Sequence, residues 1–303
     1  MDDVIIIGCG PAGLTAALYC ARFKLKVRVF EKLSCGGQIL LSPTIENYPG
    51  FPGGIATFEL MDKFQKQVEN LGVKIESVDI TALQEEGGYF KVSSGSESFL
   101  SKTVIISTGA TSKQLGVLGE DKLTGKGVSY CGTCDGPLFK DKEVVVVGGG
   151  DRALEDAIFL SEYASKIALI HRRNEFRASG VLVDKAKKIP KISFVLDSVV
   201  EEICGEERVK EVRVKNVKSG LTSTIACQGV FIFVGILPNT GLIKDMVDTN
   251  ELGFIHVKQN MQTSKEGIFA CGDCVEKSLY QVINACGEGA VAADSVHKYL
   301  LNQ

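Results

Sequence analysis

Two cysteines three positions apart, followed at once by an acid, mark the chemical centre of this sequence: Tyr130-Cys131-Gly132-Thr133-Cys134-Asp135-Gly136. The thiolate is the reactive form of cysteine, and exchange needs a second sulfur within reach. A Cys-x-x-Cys pair is therefore a compact dithiol/disulfide centre. Half of a zinc site and two unrelated buried thiols are the other readings. Zinc needs a second ligand pair at suitable spacing. The only other close pair, Cys271 and Cys274, lies far along the chain in a different motif, and the three histidines are dispersed. The stretch by itself favours redox chemistry; the elements around it must say what drives it.

The 303 residues are 45% apolar and 23% charged, which suits a soluble globular chain of about two domains. A net charge of −3 leaves no basic footprint for nucleic acid or an anionic membrane. The acidic start, Met1-Asp2-Asp3, runs straight into an apolar strand and is not read as a signal peptide. The longest apolar runs, such as residues 230–234, are strand-sized and too short to span a bilayer. A chain of this length needs no disulfide framework to fold. Its ten cysteines are read as mostly reduced, buried thiols plus one special pair, in a cytoplasmic protein.

The same module occurs twice. Residues 4–7 form an apolar β-branched run, followed by Gly8-Cys9-Gly10-Pro11-Ala12-Gly13, a helical pattern through Leu14, Ala17, Leu18 and Ala21, and a second strand ending at Glu31. Strand, Gly-rich turn, helix and strand make a dinucleotide-binding βαβ unit. The first glycine permits the tight turn, the second lets backbone approach a pyrophosphate, and the third lets helix and strand pack closely. The helix N-terminus faces the phosphates, and Glu31 is placed to accept hydrogen bonds from ribose hydroxyls. Residues 144–147 begin the pattern again, with Gly148-Gly149-Gly150-Asp151-Arg152-Ala153, a helical stretch, and a strand ending at His171. Gly8 maps onto Gly148, Gly10 onto Gly150, Gly13 onto Ala153 and Glu31 onto His171, all at one spacing. Two copies predict two nucleotide sites.

The copies differ at the end of the second strand. The acid of the first is replaced by His171-Arg172-Arg173, with Arg177 four residues on. A carboxylate repels a 2′-phosphate, whereas guanidinium groups bind phosphate in a forked geometry. The first copy should hold a nucleotide with free ribose hydroxyls and the second should prefer NADP over NAD. Each copy closes with another strand-and-glycine signal: residues 104–107 lead to Thr108-Gly109, and residues 231–234 lead to Gly235. The chain then leaves one domain near residues 114–116 and returns near Leu242. The expected fold is α/β, with two Rossmann-like, three-layer dinucleotide-binding domains, the second inserted into the first. The expected boundaries are 1–113 and 243–303 for the first domain and 114–242 for the second. Two crossings at one place make a natural hinge. Between these landmarks, residues 58–71 read as an amphipathic helix, residues 73–78, 89–92 and 193–196 as strands, and residues 199–203 and 209–214 as a strand pair.

Further along the first domain, Gly36-Gly37-Gln38 and Glu46-Asn47-Tyr48-Pro49-Gly50-Phe51-Pro52-Gly53 mark backbone that passes close to something flat or bulky. Near the end, Cys271-Gly272-Asp273 places an acid just after a short strand, where it can hold a sugar-like chain. Gln281 and Val282 then open a helix whose N-terminus would stabilise negative charge on a reduced ring.

These motifs, in this order and over essentially the whole chain, resemble the bacterial-type, low-molecular-weight thioredoxin reductases of the FAD/NAD(P)-dependent pyridine nucleotide-disulfide oxidoreductases. The resemblance rests on Glu46-Asn47-Tyr48-Pro49-Gly50, Cys131-Gly132-Thr133-Cys134-Asp135-Gly136, His171-Arg172-Arg173 with Phe176-Arg177-Ala178, and Gly272-Asp273 with Gln281. It implies FAD in the first domain, on Gly8, Gly10, Pro11, Ala12, Gly13, Glu31, Gly37, Gln38, Asn47, Thr108, Gly109, Gly272, Asp273, Gln281 and Val282. It implies NADPH in the second, on Gly148, Gly150, Asp151, Arg152, Ala153, His171, Arg172, Arg173 and Arg177. It further implies a homodimer, a thioredoxin-like disulfide protein as partner, and no part for nucleic acid, membrane or metal. By similarity, Cys134 is the flavin-side sulfur, Cys131 attacks the partner's disulfide, and Asp135 is the general acid/base, a role a buried carboxyl can fill. The dithiol and the nicotinamide would both have to reach the flavin from the second domain, which the family achieves by rotating that domain.

Two positions depart from the family pattern. Arg152 stands where a small hydroxyl residue is common, and either adds a phosphate contact or points to solvent. Tyr280 stands where arginine is frequent. Cys271 and Cys274 form a second Cys-x-x-Cys, but Asp273 between them is assigned to the flavin, so both are expected as packed thiols. Cys9, Cys20, Cys35, Cys204, Cys227 and Cys286 receive the same expectation. Two other functions fit the same motifs: a flavoprotein reductase fed by ferredoxin, and a non-enzymatic flavin/dithiol redox sensor. Intact arginines after the second module's strand speak against the ferredoxin reading.

Overall fold

The computed structural model describes residues 1–41 and 44–303. The chain divides into two compact units, one of residues 1–40, 55–111 and 237–303, the other of residues 41–54 and 112–236.

The first unit is built on a seven-stranded sheet. Strands Lys74–Ser77, Val27–Glu31, Asp2–Ile7 and Glu97–Ile106 lie side by side in that order and run parallel. Ile268–Ala270 adds a parallel strand against the end of Glu97–Ile106. Tyr89–Ser94 and Ala82–Glu86 extend the other half of that long strand as an antiparallel meander. Val4, Ile5 and Ile6 are wholly buried, as an unbroken apolar run must be when both faces of a parallel sheet are covered. On one face, helix Pro11–Arg22 packs against the C-terminal helix Val282–Leu301. They approach closely enough that a Cβ on Gly289 would strike the carbonyl of Ala12.

The second unit repeats the plan. Its five-stranded parallel sheet has the order Val128–Ser129, Gly229–Phe233, Glu143–Gly148, Lys166–Ile170, Ile192–Val195. Helices Asp151–Leu160 and Gly180–Lys187 belong to this unit, and Ser198–Gly205, Val209–Asn216 and Thr222–Ala226 form a separate antiparallel sheet. The segments that carry the chain between units, Ala110–Ser112 and Ile236–Pro238, pair as a two-stranded sheet.

Most of the expected elements occur within a residue or two: the helix is Thr57–Glu69, and the strands are Lys74–Ser77, Tyr89–Ser94 and Ile192–Val195. Several strands have no counterpart in the sequence reading, and the two longest of them are Ala82–Glu86 and Thr222–Ala226. Both are polar and mostly exposed edges, so neither carries the alternation that announces a half-buried strand. Among the described residues, no helix is long and apolar enough to cross a membrane.

Candidate active site

The dithiol lies just past strand Val128–Ser129, on the single helical turn Gly132–Asp135. Cys131 and Cys134 are joined as a disulfide, with Cα atoms 5.3 Å apart. Sulfurs bonded to each other do not ligate zinc, and this separates the redox reading from the metal reading. Both cysteines are half-buried. The Cys134 amide donates to Cys131 Sγ (3.2 Å), so the attached backbone already favours charge on that sulfur.

Beneath the pair is a small polar scaffold. Ser129 is buried; its hydroxyl donates to Asp135 Oδ2 (2.6 Å) and accepts from the Cys131 amide (3.1 Å). One side chain thereby fixes both the Cys131 backbone and the neighbouring carboxyl. Asp135 is itself buried, which suits a group that must hold a proton away from bulk water. On the preceding residue, the Tyr130 hydroxyl donates to Glu120 Oε1 (2.9 Å). Burial and that carboxylate push the Tyr130 phenol up to about 12, so it stays protonated.

A second carboxyl lies under the dithiol turn that the sequence reading did not single out. Asp156, on helix Asp151–Leu160, packs so closely on Gly132 that a Cβ there would overlap its carboxylate. Burial pushes its pKa up to about 6, partly opposed by the guanidinium of Arg152, 3.7 Å away. Arg152 also donates to the Tyr130 carbonyl (3.2 Å) and lies over the Phe233 ring. Both alternatives expected for Arg152, a phosphate contact or a purely solvent-directed chain, leave out this role: it fastens the Gly-rich loop to the segment that leads into the dithiol. The spacing of four between Arg152 and Asp156 was the sequence signal for the pair.

The two Gly-rich loops are built alike. Gly10 and Gly150 are N-caps with matching extended backbone, opening helices Pro11–Arg22 and Asp151–Leu160. Gly8 has φ +109°, and a Cβ there would strike the Ser107 carbonyl; Gly13 is pressed against the Gly8 carbonyl and Ser107 Oγ. In the second loop, a Cβ on Gly148 would strike the Phe233 carbonyl and lie 2.7 Å from Ala153 Cβ. Over Gly150, by contrast, a Cβ would meet nothing within 4 Å, and over Gly10 only the Gly36 carbonyl at 3.8 Å. Tight walls with bare backbone at the helix mouth are the shape a pyrophosphate fits.

His171 and Glu31 occupy corresponding places but differ in use. The Glu31 carboxylate accepts from the Cys9 amide (2.9 Å) and the Leu33 amide (3.1 Å). His171 is buried; its ring backs onto Gly149, stacks on Phe176 and meets the Glu175 carbonyl through Nε2 (3.1 Å). Burial, with Arg172, Arg173 and Arg177 nearby, lowers its pKa, so it is a neutral wedge under the loop rather than a cation. Arg172, Arg173 and Arg177 are exposed. The amides of Arg177 and Ala178 donate to the Gly149 carbonyl (2.7 and 3.2 Å), and Asp151 Oδ1 accepts from the Ser179 amide (2.7 Å). The arginine loop is therefore tied directly to the Gly-rich loop.

The remaining candidates group as follows. Gly37 and Gln38 begin a short 3₁₀ turn beside Gly10 in the first unit. Thr108 and Gly109 follow strand Glu97–Ile106, where Thr108 Oγ1 donates to the Asn239 carbonyl (2.7 Å) and the Asn239 side chain returns a bond to the Thr108 carbonyl. Gly272 and Asp273 follow Ile268–Ala270; Gly272 has φ +76° and lies against Ala12, and its amide donates to Glu288 Oε2 (2.8 Å). Gln281 caps the helix that Val282 opens. Asn47 clusters with the second unit. Pro11 and Ala12 sit in the first turn of their helix.

The cysteine inventory needs one correction. Cys20, Cys204, Cys227, Cys271, Cys274 and Cys286 are in no disulfide, all of them buried except the half-buried Cys204. Burial pushes Cys20 and Cys227 up to about 12, and Cys271 and Cys274 are likewise raised, so these thiols are inert. Cys9 and Cys35, expected as packed thiols, instead form a second disulfide. Strand order explains it: parallel neighbours Asp2–Ile7 and Val27–Glu31 end side by side, and each is followed within four residues by a cysteine.

The pattern of the pyridine nucleotide-disulphide oxidoreductase family matches residues 2–289. A thioredoxin reductase of Treponema pallidum (strain Nichols) is 40% identical over 298 residues, 98% of this chain and 97% of that protein. One of Mycolicibacterium smegmatis is 41% identical over 304 residues, 100% of this chain and 98% of the other. Among solved structures, the thioredoxin reductase of Streptococcus pyogenes MGAS5005 is 44% identical with a TM-score of 0.93, covering 100% of this chain and 99% of its own. That of Lactococcus lactis, in the FR conformation, is 39% identical with a TM-score of 0.72 over 100% of both chains.

Proposed function

The chain belongs to the pyridine nucleotide-disulphide oxidoreductase family, and we propose that it is a thioredoxin-disulfide reductase that passes electrons from NADPH through FAD and the Cys131–Cys134 pair to the disulfide of a thioredoxin-like protein. The observation that carries this reading is the disulfide-bonded Cys131–Cys134 turn held over Ser129 and Asp135, in a chain whose two Gly-rich loops are both shaped for a pyrophosphate. Residues 1–113 and 243–303 form the FAD domain and residues 114–242 the NADPH domain. The limits of the compact units at residues 111/112 and 236/237 lie close to that division, but residues 41–54 group with the second unit. The resemblance supports a homodimer, and the reading of mostly reduced thiols supports work in the cytoplasm.

Bare backbone at Gly10, with Gly37 beside it, fits the flavin nucleotide, and Thr108, Gly109, Gly272, Asp273, Gln281 and Val282 of the same unit complete its assignment, whereas for Asn47, which groups with the second unit, the resemblance is the only support. When bound, FAD accepts a hydride from a nicotinamide and supplies two electrons to a disulfide. Gly148, Gly150, Asp151 and Ala153 shape the second phosphate loop. His171 supports it from below as a neutral ring, and Arg172, Arg173 and Arg177 offer exposed guanidinium groups to a 2′-phosphate. Arg152 steadies the loop against the Tyr130 carbonyl.

In the reduced chain, Cys131 attacks one sulfur of the partner's disulfide. A Cys131–partner disulfide forms, and the partner's other sulfur leaves as a thiolate and takes a proton. Cys134 then attacks Cys131 Sγ, which restores the Cys131–Cys134 bond and releases the partner as a dithiol. Asp135 holds or yields the proton as the thiols change charge, and Ser129 keeps its carboxyl oriented.

Anaerobic titration tests the electron source. NADPH should bleach the flavin absorbance of the purified protein, and NADH should do so far less readily. Bleaching by reduced ferredoxin with none by NADPH would overturn the donor assignment.

A further inference from the structure

Cys9 and Cys35 are not used by the chemistry above, yet they are the second disulfide of the chain, with Cα atoms 4.7 Å apart. Cys9 lies inside the first Gly-rich loop, between Gly8 and Gly10, and is wholly buried in the core. Cys35 lies in the loop after strand Val27–Glu31, directly before Gly36-Gly37, and is half-buried. The bond therefore joins the two loops that flank the mouth of helix Pro11–Arg22.

Hydrogen bonds run alongside it. The Gly36 amide donates to the Cys9 carbonyl (2.8 Å), and the Glu31 carboxylate takes the amides of Cys9 and Leu33, one from each loop. Gly37 stands so close that a Cβ on it would lie 3.9 Å from Gly10 Cα. Gly36 and Gly37 both have positive φ, +130° and +64°, so their course past Gly10 is a constrained one. A covalent tie at Cys35 fixes where these glycines pass the bare backbone of Gly10.

We propose that Cys9–Cys35 is a second redox couple, a clamp that closes the flavin-nucleotide cradle when oxidised and loosens it when reduced by a dithiol. The inference rests on the flavin reading of the first unit. Accessibility sets the order of events. One thiolate of the dithiol attacks the sulfur of Cys35, the less buried of the two residues, to form a mixed disulfide. Cys9 leaves as a thiolate next to the N-terminus of helix Pro11–Arg22, whose dipole stabilises it, and takes a proton. The second thiol of the reductant then attacks the mixed disulfide. Two electrons and two protons have passed to Cys9 and Cys35, and the reductant is released as a disulfide. The reduced thioredoxin-like product of the proposed reaction belongs to this class of reductant, so the clamp would report accumulating product.

The test uses the flavin-loaded full chain and dithiothreitol as the probe. Free thiols are alkylated in denaturant, and peptides are mapped by mass spectrometry without reduction. A peptide linked through Cys9 and Cys35, lost on dithiothreitol treatment, is expected. Flavin release after dilution is then followed by its fluorescence in a Cys131→Ser/Cys134→Ser background, which removes the other disulfide. Dithiothreitol should speed release about tenfold, and Cys35→Ser should be fast with or without it. Cys9 and Cys35 both alkylated in air-oxidised protein, or release that ignores dithiothreitol while the linked peptide disappears, would overturn the inference and leave the flavin reading intact. Protein that binds no flavin at all would refute the flavin reading, and this inference with it.

Discussion

Replacing Asp156 by Asn should stabilise the protein, and by an amount that depends on pH. Asp156 is 8% exposed, under the dithiol turn, and its pKa is about 6 against 3.8 for a free side chain. A shift of about two units upward corresponds to ~3 kcal/mol of differential free energy between its protonation states. The raised value fixes the sign. Below about pH 4 the carboxyl is protonated whether the chain is folded or not, and the shift has no effect. Between about 4 and 6 the unfolded chain has released a proton that the folded chain still holds, so stability falls as pH rises. Above about 6 the whole penalty is present. Asn has nearly the same shape and cannot ionise, and Arg152, half in solvent, is rehydrated when its partner loses charge. The chain has no tryptophan, so urea unfolding is best followed by far-ultraviolet circular dichroism. The stability difference between variant and parent should be near zero at pH 4 and climb to ~3 kcal/mol by pH 7.5, with the urea slope unchanged. A difference that stays flat across that range, or a variant less stable at pH 7.5, would refute the reasoning.

Ser129→Ala removes a buried hydroxyl that serves both Asp135 and the Cys131 amide. It should cost ~1–3 kcal/mol in urea unfolding and lower the rate of partner reduction more than the rate of flavin reduction by NADPH; equal effects on both half-reactions would contradict the scaffold role. Gly149→Ala drives a methyl group into the His171 ring, so it should weaken NADPH binding at least about tenfold by calorimetry. Unchanged affinity would show that the loop yields there. Arg172→Ala with Arg173→Ala should raise KM for NADPH about ten- to a hundredfold and leave KM for NADH nearly unchanged, because only the 2′-phosphate distinguishes them. A parallel rise for both nucleotides would remove these arginines from the specificity site.

Much of this was legible in the chain because the two modules state their geometry locally. A β-branched run, a Gly-rich turn and an amphipathic helix each follow from neighbouring residues, and the constant spacing from Gly8 to Gly148 and from Glu31 to His171 exposes the repeat. The antiparallel strands Ala82–Glu86 and Thr222–Ala226 were illegible because partners, not their own pattern, make them strands. Ser129 and Asp156 carry no motif; their importance comes from what they touch beneath Gly132 and Cys131. The Cys9–Cys35 bond joins residues 26 apart, and its signal lay in the strand order, which sets the two loops next to each other. His171 looked like part of a cationic cluster from its neighbours in sequence, and only its burial against Gly149 makes it a neutral support.

The central claim is that Cys131 and Cys134 relay electrons from a nicotinamide nucleotide to a partner disulfide. Its most direct test is steady-state oxidation of NADPH in the presence and absence of an oxidised thioredoxin, with the parent protein and with Cys131→Ser. Sustained turnover that requires the thioredoxin and is abolished in the variant is the predicted result. A variant that keeps full turnover, or a parent that oxidises no NADPH with any thioredoxin supplied, would contradict it.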